Sequence, residues 1–162
     1  MKGVYPFGEN SALVVDGVHQ YTAFYRELSE QLGKGAGWTW STHAMGYNFY
    51  GLFCYYLCSP FSFLILLFMK FMYVNEAVTA VILIKAGLCS VSMAWYSGKK
   101  YPGRGSMAVS LGCMYALSNF LIGYYSNVMW LDCIMLLPVL AYLIEQLVHT
   151  GKWRGYCLVL GY

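Results

Sequence analysis

The chain has 162 residues, 59% of them hydrophobic, 19% aromatic and only 10% charged, against roughly 25% charged in an ordinary soluble domain. That composition excludes a water-soluble globular domain and predicts an all-α, polytopic membrane helical bundle. A net charge of +3, gathered in two short turns rather than along one face, makes no case for nucleic acid as a partner and reads as a topology signal.

In chain order, Met1 to Gly8 has no charged start leading into an apolar run, and it contains Pro6, so no signal peptide is read there. Leu13-Val-Val-Asp-Gly-Val-His-Gln-Tyr21 then sets a lone carboxylate, Asp16, between an apolar lead-in and an amphipathic helix. Val18, Tyr21, Phe24, Tyr25, Leu28 and Leu32 recur at helical spacing, with Gln20, Arg26, Glu27, Glu30 and Gln31 on the opposite face. A helix of this kind suits the headgroup layer of a bilayer and holds Asp16 at the water boundary. Asp16 is equally suited to an N-cap, and the two roles are compatible.

From Gly33 to Tyr47 the chain is glycine-rich and polar-aromatic, a loop with Trp38 and Trp40 as interfacial anchors. Asn48 to Val74 is apolar but broken by Ser59-Pro60, with Lys70 near its end. Three cleaner spans come next at about residues 77–97, 106–125 and 131–148, each near the length a bilayer asks for. A last apolar stretch opens at Tyr156 and runs only to Tyr162. The organisation expected is therefore an outer loop over residues 1–74, with an interfacial helix and a re-entrant or juxtamembrane segment, and a transmembrane bundle over 75–162. The seven-residue close predicts a piece of a larger membrane protein.

The turn 98–105 carries Lys99, Lys100 and Arg104, and the turn 149–155 carries Lys152 and Arg154, with no acid in either. The turn 126–132 carries only Asp132, and residues 1–74 balance four basic against four acidic residues. Positive-inside bias puts both basic turns in the cytoplasm and Asp132 outside. Asp16 joins Asp132 on the outer face if residues 48–74 dip in and return, which Pro60, Lys70 and the sparse charge of the preceding loop favour; a full crossing would separate them.

Among residues able to carry chemistry, Asp16 and Asp132 stand at the outer ends of membrane helices, where one acid can take a proton from an acceptor hydroxyl and the other position a donor or a divalent cation. Asp132 also opens a helix and suits a cap. Lys85 lies well inside its span, where a charge costs a few kcal/mol on insertion scales, and a phosphate-bearing lipid, an acidic partner or snorkelling would each account for it. His19, Gln20 and Tyr21 come just after Asp16 and are candidates for substrate binding, while Glu145 marks a helix boundary. The six cysteines show no metal-ligand spacing and read as reduced packing residues. No catalytic triad, phosphate-binding glycine loop or zinc motif is present.

The order Pro6-Phe-Gly, Asp16 with Gln20-Tyr21, Trp38-Thr-Trp-Ser41, Gly46-Tyr-Asn-Phe49, Tyr55-Tyr-Leu-Cys-Ser-Pro-Phe61, then Met129-Trp-Leu-Asp132 with Leu136-Leu-Pro138 resembles the N-terminal part of the YfhO family of bacterial membrane proteins. The resemblance covers nearly the whole chain and rests on the shared order of motifs rather than on any one of them. It implies a glycosyltransferase of the GT-C superfamily, with interfacial juxtamembrane helices in the first outer loop. Such an enzyme takes a sugar from a polyprenyl-phosphate donor and passes it to an envelope polymer such as teichoic acid on the outer face of the bacterial cell membrane. The resemblance further implies that Asp16 matches the catalytic acid of the first outer loop and Asp132 a second acidic position two spans later. Two departures stand out. The chain is without the family's opening helix and later spans, so the piece alone is expected to be inactive, and Asp132 stands singly where some relatives carry two acids, which leaves a metal site open. Two other readings remain: a lipid or polyol transporter with Lys85 and Glu145 along its path, and a non-catalytic membrane scaffold.

Overall fold

A computed structural model describes residues 12–14, 16–34, 41 and 46–162. The first residues, with Pro6, and most of the glycine-rich loop, with Trp38, Trp40 and His43, lie outside the described residues. The described chain is helical, its one extended pairing being an isolated antiparallel bridge between Ser41 and Tyr47. It divides into two compact units, residues 1–82 with 126–129 and residues 83–125 with 130–162.

The first unit starts with a π-helical turn, Gly17–Tyr21, that runs into helix α1, Thr22–Lys34. Gly17 fits because the turn is tight: a Cβ there would stand 3.3 Å from the Cβ of Leu13. The Thr22 hydroxyl donates back to the Val18 carbonyl at 2.5 Å, taking up an acceptor that the wider winding leaves available. Helix α2, Phe49–Leu52, begins at Asn48, whose side chain accepts the Gly51 N–H at 3.2 Å, and continues as a second π-helical stretch, Phe53–Leu57. The chain breaks at Ser59-Pro60, where the serine hydroxyl accepts the Phe61 N–H and the proline takes the first helical position of α3, Pro60–Phe68. The two halves meet at 97° and together are apolar enough for one broken span or a re-entrant loop. Against them the π-helical turn lays Tyr21 and α1 lays Phe24, whose rings stand 5.8 and 5.1 Å from that of Tyr56, and Tyr25, whose hydroxyl reaches Ser62 at 3.5 Å.

The faces of α1 depart from the simple helical expectation. Tyr21, Tyr25 and Leu28 are fully buried, but Val18 and Leu32 are exposed. In the π-helical turn each N–H reaches back five residues instead of four, so the wider winding turns Val18 away from the face that Tyr21 and Tyr25 share. Glu27, expected among the outward charges, is buried instead, and its carboxylate accepts a hydrogen bond from the Tyr47 hydroxyl.

Helix α4, Val74–Lys100, starts in the first unit and runs on into the second. At its head the Glu76 carboxylate accepts the Tyr73 N–H at 3.2 Å, and at its tail Lys99 and Lys100 face the negative end of the helix dipole. Its 27 residues make a rod about 40 Å long, more than the roughly 30 Å hydrocarbon core requires. In the second unit, α5, Gly105–Ala116, gives way at Leu117 to α6, Asn119–Tyr124, which the Ser118 hydroxyl caps by accepting the Leu121 N–H. The expected second span is thus interrupted near its end, though residues 105–124 remain apolar and long enough to cross. Helix α7, Trp130–Thr150, carries Pro138 inside it and stops at Gly151, whose φ of 70° only glycine adopts readily. Helix α8, Arg154–Leu160, comes last. Among the described residues three helices are long and apolar enough to cross a membrane, or up to four if the bent pair α2–α3 is one span.

Small residues let α4 and α5 approach. A Cβ at Gly112 would lie 2.5 Å from the Ser90 carbonyl oxygen and 3.0 Å from the Ala94 methyl, the close backbone contact that packs helices where lipid removes the hydrophobic drive. Helices α4 and α7 run parallel: Cys89 lies against Leu131, Trp95 stacks edge-on against Tyr142 at 4.9 Å, and Lys100 bonds Glu145. Both basic turns therefore lie at the same end of this unit. The cysteines are all free thiols, and only Cys89 is buried. The expectation that all six pack inside holds for Cys89 alone; the other five are exposed at the chain's surface.

Candidate functional site: an uncapped acid and a paired acid

In the first unit Asp16 sits at the head of the π-helical turn with helical backbone angles, φ −64° and ψ −29°, and its carboxylate makes no capping hydrogen bond. The reason is conformational. An N-cap needs an extended backbone to fold its side chain over the first N–H groups, as Asn48, Ser59 and Ser118 do, and a helical residue cannot. Asp16 is half-buried, His19 exposed and Gln20 half-buried, while Tyr21 is a core residue. Burial is the main reason the Tyr21 phenol is held far above its usual range, with smaller contributions from Tyr25, Tyr56 and the charge of Asp16. Tyr21 thus stays a neutral hydroxyl at the base of the turn.

Beyond α1, Glu27 and Tyr47 form a second polar contact that periodicity does not reveal. Burial first, and then the Glu27 carboxylate, push the Tyr47 phenol up to about 12. Gly46, with φ of 91°, makes the turn that brings Tyr47 back beside Ser41.

In the second unit the Lys85 ammonium stands 2.8 Å from the Asp132 carboxylate, the two side chains 1% and 10% exposed. Lys85 comes from the middle of α4 and Asp132 from the first turn of α7. Around them the Cys89 thiol is directed at the Leu131 carbonyl, and the Tyr115 hydroxyl donates to the Ile134 carbonyl at 2.7 Å. Of the accounts open for Lys85, the acidic partner is the one found. The signal was in the sequence: Lys85, Cys89 and Ser92 recur at helical spacing, and all three are buried. What it lacked was the partner's address, 47 residues on.

The pair constrains the chemistry. A carboxylate already facing an ammonium has little to gain from an incoming hydroxyl proton. It is also poorly matched to a divalent cation, since the lysine already supplies its counter-charge, and no group of three His, Cys, Asp or Glu side chains able to hold a metal occurs among the described residues. Among the described residues no such group gathers around Asp16 either. Glu145 accepts from Tyr96 at 2.9 Å and Lys100 at 2.5 Å near the end of α7. Lys85 and Glu145 thus belong to separate ion pairs, so the pairing gives no support to a shared transport path.

The family model described as bacterial membrane protein YfhO matches residues 1–162, the whole chain. No curated protein and no solved structure matches it.

Proposed function

The chain belongs to the YfhO family of bacterial membrane proteins, a membership that fits a membrane glycosyltransferase in general, and from it we propose that Asp16 is the proton-accepting acid of a lipid-linked sugar transfer. The donor is a sugar on polyprenyl phosphate, and the acceptor is a hydroxyl of an envelope polymer such as teichoic acid on the outer face. The acceptor oxygen bonds to the anomeric carbon from the side opposite the phosphate, inverting it. The bond from that carbon to the phosphate oxygen breaks, the lipid phosphate leaves with the electron pair, and the hydroxyl proton passes to Asp16.

The observation that carries this reading is the uncapped carboxylate: Asp16 is half-buried, helical in backbone and without a capping bond. A group so placed has lone pairs to give an incoming hydroxyl. His19 and Gln20 stand on the same turn and are assigned to the acceptor, with Tyr21 holding the turn from inside. Asp132 and Lys85 enter as a positioning pair that fixes the start of α7 on α4 rather than as proton acceptors.

Asp16→Asn keeps size and polarity but removes the basic site. In the full-length protein it is expected to lower sugar transfer about 10²- to 10⁴-fold, the usual worth of a positioned acid or base, at unchanged membrane expression. Transfer from labelled donor at the wild-type rate would return Asp16 to a purely local role.

A further inference from the structure

At the end of α7 the chain turns through Gly151 and comes back as α8, and the corner frames an open cleft of about 520 Å³. Tyr142, Leu143 and Gln146 of α7 form one wall, and Lys152, Trp153 and Arg154 of the turn form the other. The corner is closed by contact, since a Cβ on Gly155 would stand 2.9 Å from a Leu143 methyl.

The charge of this cleft is one-sided. Lys152 and Arg154 form no ion pair among the described residues, and no carboxylate lines the cleft. The nearest acid along α7, Glu145, is committed to Lys100 and Tyr96. Two unpaired cations, an amide and two amphipathic rings thus surround a space at the end of a membrane-spanning helix, the level where lipid headgroups lie. An ammonium and a guanidinium together satisfy a phosphodiester, the guanidinium through two parallel N–H bonds. Leu143 and the ring faces of Tyr142 and Trp153 suit the glycerol and upper acyl region.

We infer that this cleft binds the headgroup of an anionic phospholipid, with Lys152 and Arg154 on the phosphate and Trp153 beside the glycerol. The site is independent of the sugar-transfer reading and needs neither Asp16 nor Asp132. Its role is to fix the α7–α8 corner to the membrane surface. Charge selects the lipid: a zwitterionic headgroup brings its own cation, which the two basic residues repel.

The test is native mass spectrometry of the full-length protein titrated with phosphatidylglycerol or phosphatidylcholine. Wild type is expected to retain phosphatidylglycerol preferentially, and the Lys152→Gln/Arg154→Gln double variant to bind it about 30-fold more weakly, as two cations near an anionic surface are worth. Lys99→Gln/Arg104→Gln removes the same charge from the other basic turn and is expected to retain wild-type binding. The charge-keeping variant Lys152→Arg/Arg154→Lys controls for folding and is expected to retain most of it. Equal loss in both double variants would reduce the effect to general surface attraction and overturn the site. Displacement of the lipid by millimolar inorganic phosphate would identify a free-anion site and overturn it too.

Discussion

Helices α4 and α7 are joined by two ion pairs of the same chemistry and opposite circumstance. Lys85 and Asp132 meet where their side chains are 1% and 10% exposed, Lys100 and Glu145 where theirs are 44% and 33% exposed. The outer pair sits at the helix ends, where water solvates each charge almost as well as the partner does, so holding two long side chains together gains little. The inner pair has left water for a buried setting in which each charge faces the other, so its attraction largely offsets a desolvation already incurred and each member depends on the other. Distance and charge type are nearly equal in the two; burial alone decides what each pair does. The inner pair dictates how α7 starts against α4, while the outer pair trims an arrangement already made.

The sharpest way to break this contrast is to remove one member of the inner pair. Lys85→Met or Asp132→Leu alone is expected to destabilise the protein by about 3–5 kcal/mol by stranding a buried charge, with most of that loss recovered in the Lys85→Met/Asp132→Leu double variant. Unfolding in detergent micelles, run as a double-mutant cycle, measures it. Additive losses would mean that the two charges do not depend on one another. Next in size is the packing that brings the helices close enough to pair: Gly112→Ala places a methyl 2.5 Å from the Ser90 carbonyl oxygen and is expected to cost about 1–3 kcal/mol in the same assay. The outer pair should register least, with Lys100→Gln or Glu145→Gln changing stability less than either inner substitution or Gly112→Ala and losing that small difference in high salt.

The first unit supplies a contrast of its own between its two carboxylates. Glu27 is buried and engaged by Tyr47, whereas Asp16 is uncapped. Because the folded protein raises the Tyr47 phenol to about 12 from an ordinary 10.0, the neutral phenol is favoured on folding. The stabilisation from this contact is complete below pH 10 and is lost as pH climbs through 12. Alkaline unfolding of wild type should therefore show a loss over that window that Tyr47→Phe lacks. Identical pH profiles would remove Tyr47 as its source.

Much of the architecture was legible because a bilayer enforces simple rules. Long apolar runs between Pro, Gly and basic turns have to be helices, since lipid offers no partner for an open backbone group, and α4, α5 and α7 lie where those runs lie. The break at Ser59-Pro60 was legible for the same reason, as proline lacks the N–H and the preceding serine caps the start of α3. Less legible were departures from ideal winding. Nothing in Gly17 to Tyr21 announces a π-helical turn, yet that turn rotates Val18 out of the apolar face and leaves Asp16 helical and uncapped.

By itself, then, the sequence determined that this is a helical membrane protein of the YfhO family, where its spanning helices run and which ionisable groups they carry, because hydrophobic length and helix punctuation act locally along the chain. Only the tertiary structure decided what those groups do to one another: that the buried lysine of α4 is answered by the acid opening α7, that Glu27 turns inward to a tyrosine, and that Asp16 makes no cap. Pairing inside a low-dielectric bundle depends on which side chains converge across dozens of residues. That convergence is set by helix packing and by turns whose winding is not written in any one stretch.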